Sequence, residues 1–181
     1  MTEPEFRKVY ELAFPVLYRV AFRIAGSGEA AEDLCHDAFA KLHERDMCFP
    51  NTDEATYWLI RVVKNAALNY AKRKQRERRA YQRAFKEDVR QSETGEGLLV
   101  KEETKGEVLR ALNGLPDKLR IVLVLKEYAE LNYREIGRIL GITEGNVKVR
   151  VFRARERLAG MLGETAFEGR IRGGKGRKAA K

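Results

Sequence analysis

The sequence predicts an all-α protein made of two small helical domains joined by a flexible linker. Three observations lead there. Apolar residues recur at helical spacing along most of the 181 residues, and no segment shows the period-two alternation of a strand. The stretch RQSETGEGLLVKEETK (90–105) has the Gly, Ser and acidic content of a linker. Charge is also segregated: residues 1–60 carry a net −5, 61–83 a net +8, 84–104 a net −3 and 105–167 a net +4. An acidic head, a basic band, an acidic bridge and a basic second unit imply separate surfaces for separate partners. The boundaries that follow are 1–86 for the first domain, 87–106 for the linker, 107–164 for the second domain and 165–181 for a disordered basic tail.

Each element has its own signal. Phe6, Val9, Tyr10, Ala13 and Phe14 open a helical face, which Pro15 kinks or restarts. Leu17, Val20, Ala21 and Ile24 carry it on to a stop at Gly26-Ser27-Gly28. Ala31, Leu34, Cys35, Ala38, Phe39 and Leu42 form the next apolar face. DMCFPNTDE (46–54) reads as a loop, and Tyr57 to about Arg83 as one long helix, apolar early and cationic late. Beyond the linker, Val108, Leu109, Ala111 and Leu112 begin the second domain. Leu115-Pro116 then opens a helix whose face is Leu119, Val122 and Leu123.

Composition narrows the function. The pI of about 9.6 and net charge of +9 point to a polyanionic partner. Cys35 and Cys48 fit no metal spacing and are too few for a disulfide scaffold. His36 and His43 lack partners at metal-ligand spacing and read as surface residues. No secretory signal pattern or membrane-length apolar run occurs, which implies a soluble cytoplasmic protein. There is no nucleophile–base pair, phosphate-cradling loop or metal cage, so no enzyme, cofactor or small-molecule substrate is expected.

The segment NYREIGRILGITEGNVKVRVFRARERL (132–158) has the grammar of a helix-turn-helix. Asn132 and Glu135 make a capping box, Gly141 supplies a turn with positive φ, and Thr143 caps the second helix. Gly137 marks a close crossing. Val147, Val151, Ala154 and Leu158 share one narrow face, which must be core. The opposite face presents Val149 and Phe152 flanked by Lys148 and Arg153, a set suited to thymine methyls and guanine edges in a major groove. Upstream, ATYWLIRVVKNAALNYAKRKQRERR (55–79) places Asn65 and Asn69 on one helical face beside aromatics and cations. Such a face can hold an unpaired base and its backbone. Trp58, among apolar neighbours, reads as core rather than as a wedge in DNA.

Together these residues give the chain a clear resemblance to the bacterial sigma factors of the extracytoplasmic-function (ECF) group. LYRVAFRIAGSGEAAEDLCHDAFAKLHER (17–45) and TYWLIRVVKNAALNYAKRKQR (56–76) resemble sigma region 2. LPDKLRIVLVLKEYAELNYREIGRILGITEGNVKVRVFRARERL (115–158) resembles region 4. The resemblance implies a transcription initiation factor that binds core RNA polymerase through the β′ clamp helices and the β flap. Asp33, His36 and Asp37 match the clamp-docking surface. The loop Phe49–Thr56, with Phe49, Pro50 and Asn51, and Asn65 match the pocket that captures a flipped base of the −10 element, and Asn69, Lys72 and Arg73 follow its backbone. Lys148, Val149, Phe152 and Arg153 match positions facing the −35 element, with Asn146 and Arg150 on phosphates. The chain has Pro50-Asn51 where relatives often have Arg-Gly, and Lys148-Val149 where many have Arg-Ser, which implies an altered base code. An anti-sigma factor is a further partner implied by the resemblance. The alternative is a stand-alone helix-turn-helix regulator binding duplex operators, which would leave the Asn65/Asn69 face and the acidic head without a role.

Overall fold

The computed structural model describes residues 2–44, 47, 49–84 and 108–163. The expected linker and basic tail, and Cys48, lie outside the described residues. Among those described, every regular element is a helix.

The first unit is three helices. α1 (Glu3–Ala25) begins on a capping box, with the Thr2 backbone N–H donating to Glu5 Oε2 at 2.8 Å, and ends where Gly26 turns left-handed at φ 73°. Pro15 neither restarts nor ends it: α1 is a single helix through that residue. Pro15 is exposed, so the backbone carbonyl that loses its donor there faces water. α2 (Gly28–Glu44) and α3 (Thr52–Ala84) pack against α1. α3 starts earlier than its apolar pattern suggested. Asn51 Oδ1 accepts the Glu54 backbone N–H at 2.9 Å, which satisfies an orphan donor of the first turn and draws Thr52–Thr56 into the helix. The expected capture loop is therefore shorter than Phe49–Thr56. Leu17, Ile24, Leu42, Leu59 and Ile60 are the largest fully buried side chains of the three helices.

The second unit holds four helices: α4 (residues 108–114), α5 (Asp117–Glu127), α6 (Tyr133–Leu140) and α7 (Glu144–Leu162). α5 is buried on more than the one face its pattern predicted. Every residue from Arg120 to Leu125 is buried, because α6, α7 and α1 all contact it. Arg120 is tolerated there because its guanidinium donates to Asn113 Oδ1 and Asp117 Oδ1, each at 3.1 Å. Burial lowers its pKa and the Asp117 carboxylate opposes that shift.

α6 and α7 form the helix-turn-helix. Asn132 Oδ1 accepts from the Glu135 N–H at 2.9 Å, and Glu135 Oε2 accepts from the Asn132 N–H at 2.6 Å. Gly141 adopts φ 67°. Gly137 has no room for a side chain, because a Cβ would stand 2.7 Å from the Ile142 carbonyl oxygen. The close approach is thus to the turn backbone.

The two units share one cluster of buried apolar residues, and they are also tied by polar groups that no sequence pattern announced. The Tyr57 hydroxyl donates to Glu135 Oε1 at 3.0 Å, and Arg138 pairs with Glu54 at 2.7 Å. Lys72 pairs with Asp117 at 3.2 Å, and the Arg23 guanidinium sits 4.4 Å from the Tyr128 ring centre. Glu135 therefore caps α6 with one oxygen and receives the first unit with the other. Burial first, and then the bond to Glu135, push the Tyr57 phenol up to about 12 from an ordinary value of about 10. The protonated phenol is the bonding form, so its contribution is full below pH of about 10 and fades as pH rises through about 12. Phenolate absorbance at 295 nm should lose its highest-pH step in Tyr57→Phe. Loss of a step near pH of about 10 in its place would show that Tyr57 ionises as an ordinary phenol.

Candidate nucleic-acid and polymerase interfaces

The α7 surface is assembled from its cap upward. Thr143 Oγ1 accepts the Asn146 N–H at 3.3 Å and sets the start of the helix. Val147, Val151, Ala154 and Leu158 are buried, as their spacing required. That burial turns Phe152 outward at 68% exposure and Val149 at 47%. Two exposed apolar side chains three residues apart, with Lys148 and Arg153 exposed beside them, form a ridge that can enter a groove. Arg150 is half-buried at its flank. Lys148 has a partner the sequence did not reveal. Its ammonium pairs with Glu144 at 2.8 Å, and that bond and charge raise its pKa. Arg155, further along, is held by Glu127 at 2.6 Å.

The second surface lies along α3. Asn65 and Asn69 are both exposed and one helical turn apart, so their amides point the same way. Lys72 follows on that side, paired with Asp117. Arg73 pairs with Glu77 at 3.5 Å and lies 5.8 Å from the Tyr70 ring. At the start of the helix, Pro50 and Asn51 are exposed and Phe49 is half-buried. Phe49 packs 6.0 Å from Trp58, itself half-buried against the core. Asn51 contributes its side-chain oxygen to the cap of α3, and its amide NH₂ remains for other partners.

The third surface is on α2. Asp33, His36 and Asp37 are exposed and share one side of the helix. The His36 ring lies 5.7 Å from Phe14, which fixes it against α1. Asp33, Asp37, Asn69 and Arg73 line one groove between α2 and α3, so the acidic docking candidates and the single-strand candidates stand on adjoining walls. Cys35, on the inner face of α2, is buried, and burial pushes its thiol up to about 12. Among the described residues no cluster of His, Cys, Asp and Glu could hold a metal ion. No helix among them is long and apolar enough to cross a membrane.

Two helical units, one with a helix-turn-helix and an outward Phe152 ridge and the other with a basic helix carrying an amide face, have the make-up of a DNA-binding protein. Residues 9–77 match the family model for sigma-70 region 2, and residues 105–158 match that for sigma-70 region 4. The chain is 33% identical over 147 residues to the ECF RNA polymerase sigma factor SigM of Mycobacterium tuberculosis, covering 81% of this chain and 71% of the relative. It is 31% identical over 143 residues to the ECF RNA polymerase sigma-E factor of Escherichia coli, covering 74% of each. It is 28% identical to SigW of Bacillus subtilis, across 87% of this chain and 88% of the relative. A solved structure of the sigma factor RpoE in complex with the anti-sigma factor NepR, from Bartonella quintana, superposes with a TM-score of 0.62 at 25% identity, covering 87% of this chain and 96% of that chain. The chain belongs to the ECF sigma factors of RNA polymerase.

Proposed function

We propose that this sigma factor docks on core RNA polymerase through α2, anchors the −35 duplex with α7 and traps melted −10 bases on α3. The observation that carries the proposal is the pair of exposed surfaces on separate units of one chain: Phe152 and Arg153 of α7, and Asn65 and Asn69 of α3. Asp33, His36 and Asp37 supply the contact to the β′ clamp helices, and the β flap is the second polymerase contact. The domain limits are 1–86 and 107–164, with 87–106 linking them. A tether makes the second DNA contact effectively intramolecular, so two modest affinities combine. Capture of unpaired bases shifts the closed–open equilibrium because only the open state offers them.

The chain needs no catalytic group for this work, and the bond-forming chemistry belongs to the polymerase. The site of action is the cytoplasm, where polymerase and promoter are. An anti-sigma factor, the kind of partner bound by the Bartonella relative, belongs to the proposal as the regulator of its access to polymerase. The stand-alone operator-binding alternative is not favoured, since the region 2 match extends over residues 9–77.

The Lys72 ammonium cannot serve Asp117 and a DNA phosphate at full strength together, so engagement of the −10 strand competes with this inter-unit pair. Promoter-specific run-off transcription with purified core polymerase tests the whole proposal, and absence of core-dependent initiation would reject it. Asn65→Ala tests the capture face. Permanganate reactivity of the melted segment should fall about tenfold, the loss of one hydrogen bond of roughly 1–1.5 kcal/mol, while closed-complex binding persists. Equal loss of melting and duplex binding, with the fold intact, would remove Asn65 from the pocket.

A further inference from the structure

The first turn of α7 carries a carboxylate at the edge of a basic reading surface. Glu144, Lys148 and Phe152 follow one another at steps of four residues, so they form one row along the helix. Glu144 and Lys148 are both exposed, and they stand at the N-terminal end, the part of a recognition helix that reaches base edges. Their charged groups are 2.8 Å apart. The Tyr133 ring lies 6.0 Å from the same ammonium. Lys126 approaches that ring to 5.2 Å while its ammonium donates to the Leu131 carbonyl at 3.2 Å. Lys148 is thus held between a carboxylate and a ring, where a free lysine stem is flexible. An ion pair one turn apart on a helix surface stabilises the helix only slightly. A carboxylate beside DNA also weakens the attraction for phosphate. A pair at this place lowers affinity unless it reads.

We propose that Glu144 is a base-reading residue of α7, and that it and Lys148 together read one G·C pair, the ammonium on guanine and the carboxylate on the cytosine amino group. The inference rests on the −35 reading of α7. An arginine at position 148 would take guanine O6 and N7 with its own fork, whereas an ammonium is a point donor to any acceptor. Glu144 supplies the missing selectivity. An ammonium has three protons and a carboxylate two oxygens. The ion pair occupies one of each, so two protons and one oxygen remain for the groove. In the major groove a G·C pair offers the acceptors O6 and N7 beside the N4 amino donor, which matches that set. T·A offers O4 and the adenine amino group, with a methyl where N7 would be. In A·T and C·G the order is reversed, which sets the ammonium against an amino group and the carboxylate against an acceptor. The preference is therefore G·C, then T·A, with A·T and C·G rejected.

The test uses the full-length protein and a −35 duplex selected from a random pool with wild-type holoenzyme. Each base pair is replaced in turn and binding is followed by fluorescence anisotropy. Wild type should show one position that follows this order, with C·G bound about tenfold or more below G·C. Glu144→Ala should distinguish the two orientations far less. Ala is a strong helix former, so circular dichroism should stay unchanged. At the same position, N4-methylcytosine keeps Watson–Crick pairing and puts a methyl where the groove-facing amino hydrogen was. Wild type should lose about tenfold on it, and Glu144→Ala should bind the methylated and plain duplexes alike. 7-Deazaguanine, which lacks N7, should weaken wild type and Glu144→Ala and leave Lys148→Ala unaffected. Indifference of wild type to N4-methylcytosine, with guanine preference lost in Glu144→Ala, would make Glu144 only a positioning residue for Lys148 and overturn the proposal. An unchanged base preference in Glu144→Ala would make the carboxylate a helix-stabilising charge and overturn it too. Failure of the −35 reading itself would appear in Phe152→Asp, as an unchanged preference for the selected duplex over a scrambled one, so the two failures separate.

Discussion

Phe152→Asp should lower affinity for the −35 duplex about a hundredfold and leave the fold intact. At 68% exposure Phe152 takes little part in the core, so its removal has little to collapse. In the groove the substitution acts twice. It removes an apolar contact to a base edge, and it puts a carboxylate among phosphates. A good base contact is worth about 1–3 kcal/mol of discrimination, and about 1.4 kcal/mol is tenfold in affinity. The missing apolar contact and the added repulsion together reach about a hundredfold. The duplex is obtained by selection from a random pool with wild-type holoenzyme, and binding is followed by anisotropy. Binding to a scrambled duplex should fall far less. An equal fall on both would make Phe152 part of a nonspecific surface, and no fall on either would take it out of the interface. Glu144→Gln provides the opposite control, because it releases Lys148 from its 2.8 Å ion pair and should strengthen binding to both duplexes.

The helix-turn-helix was legible because all its determinants are local. The Asn132–Glu135 box, the left-handed Gly141, the Thr143 cap and the Val147–Val151–Ala154–Leu158 face each depend on residues within about three turns of one another. Burying that face leaves Phe152 and Val149 nowhere to point but outward. The start of α3 was less legible, because Asn51 in a Pro- and Asp-containing stretch serves equally as a turn residue and as a cap. Pro15 was misleading for a related reason. A proline signals interruption, but an exposed position in a long packed helix lets tertiary burial outweigh one lost hydrogen bond. The buried Arg120 was illegible because its partner Asn113 lies across the α4–α5 turn and its burial depends on distant helices. The ties between the units span from 45 residues, for Lys72 to Asp117, to 109, for Arg19 to the Tyr128 carbonyl. They are fixed by the three-dimensional arrangement, and periodicity carries no trace of them.

Ile136→Ala should unfold the second unit well before the first. Ile136 is fully buried in α6, and deleting three carbons from such a site costs about 2–5 kcal/mol, depending on how far the surroundings collapse. A helical unit of this size has a small core and little stability in reserve. Two forces decide whether the loss spreads. The ion pairs that join α3 to the second unit, Glu54–Arg138 and Lys72–Asp117, are substantially exposed, and such pairs contribute about 0–1 kcal/mol each. Against that, the buried apolar residues of α1, α3, α5 and α6 belong to one contiguous cluster, which favours joint unfolding. The chain supplies its own reporter, because Trp58 is its single tryptophan and stands on α3 in the first unit. In a urea titration, far-UV circular dichroism follows both units and Trp58 fluorescence follows the first. With the polar contacts as weak as their exposure makes them, the dichroism of Ile136→Ala should split into two steps while the Trp58 midpoint moves by less than about 1 kcal/mol equivalent. If both signals shift together in one step, the apolar cluster welds the units into a single cooperative body. The tethered two-site binding proposed above would then require that body to open on the promoter.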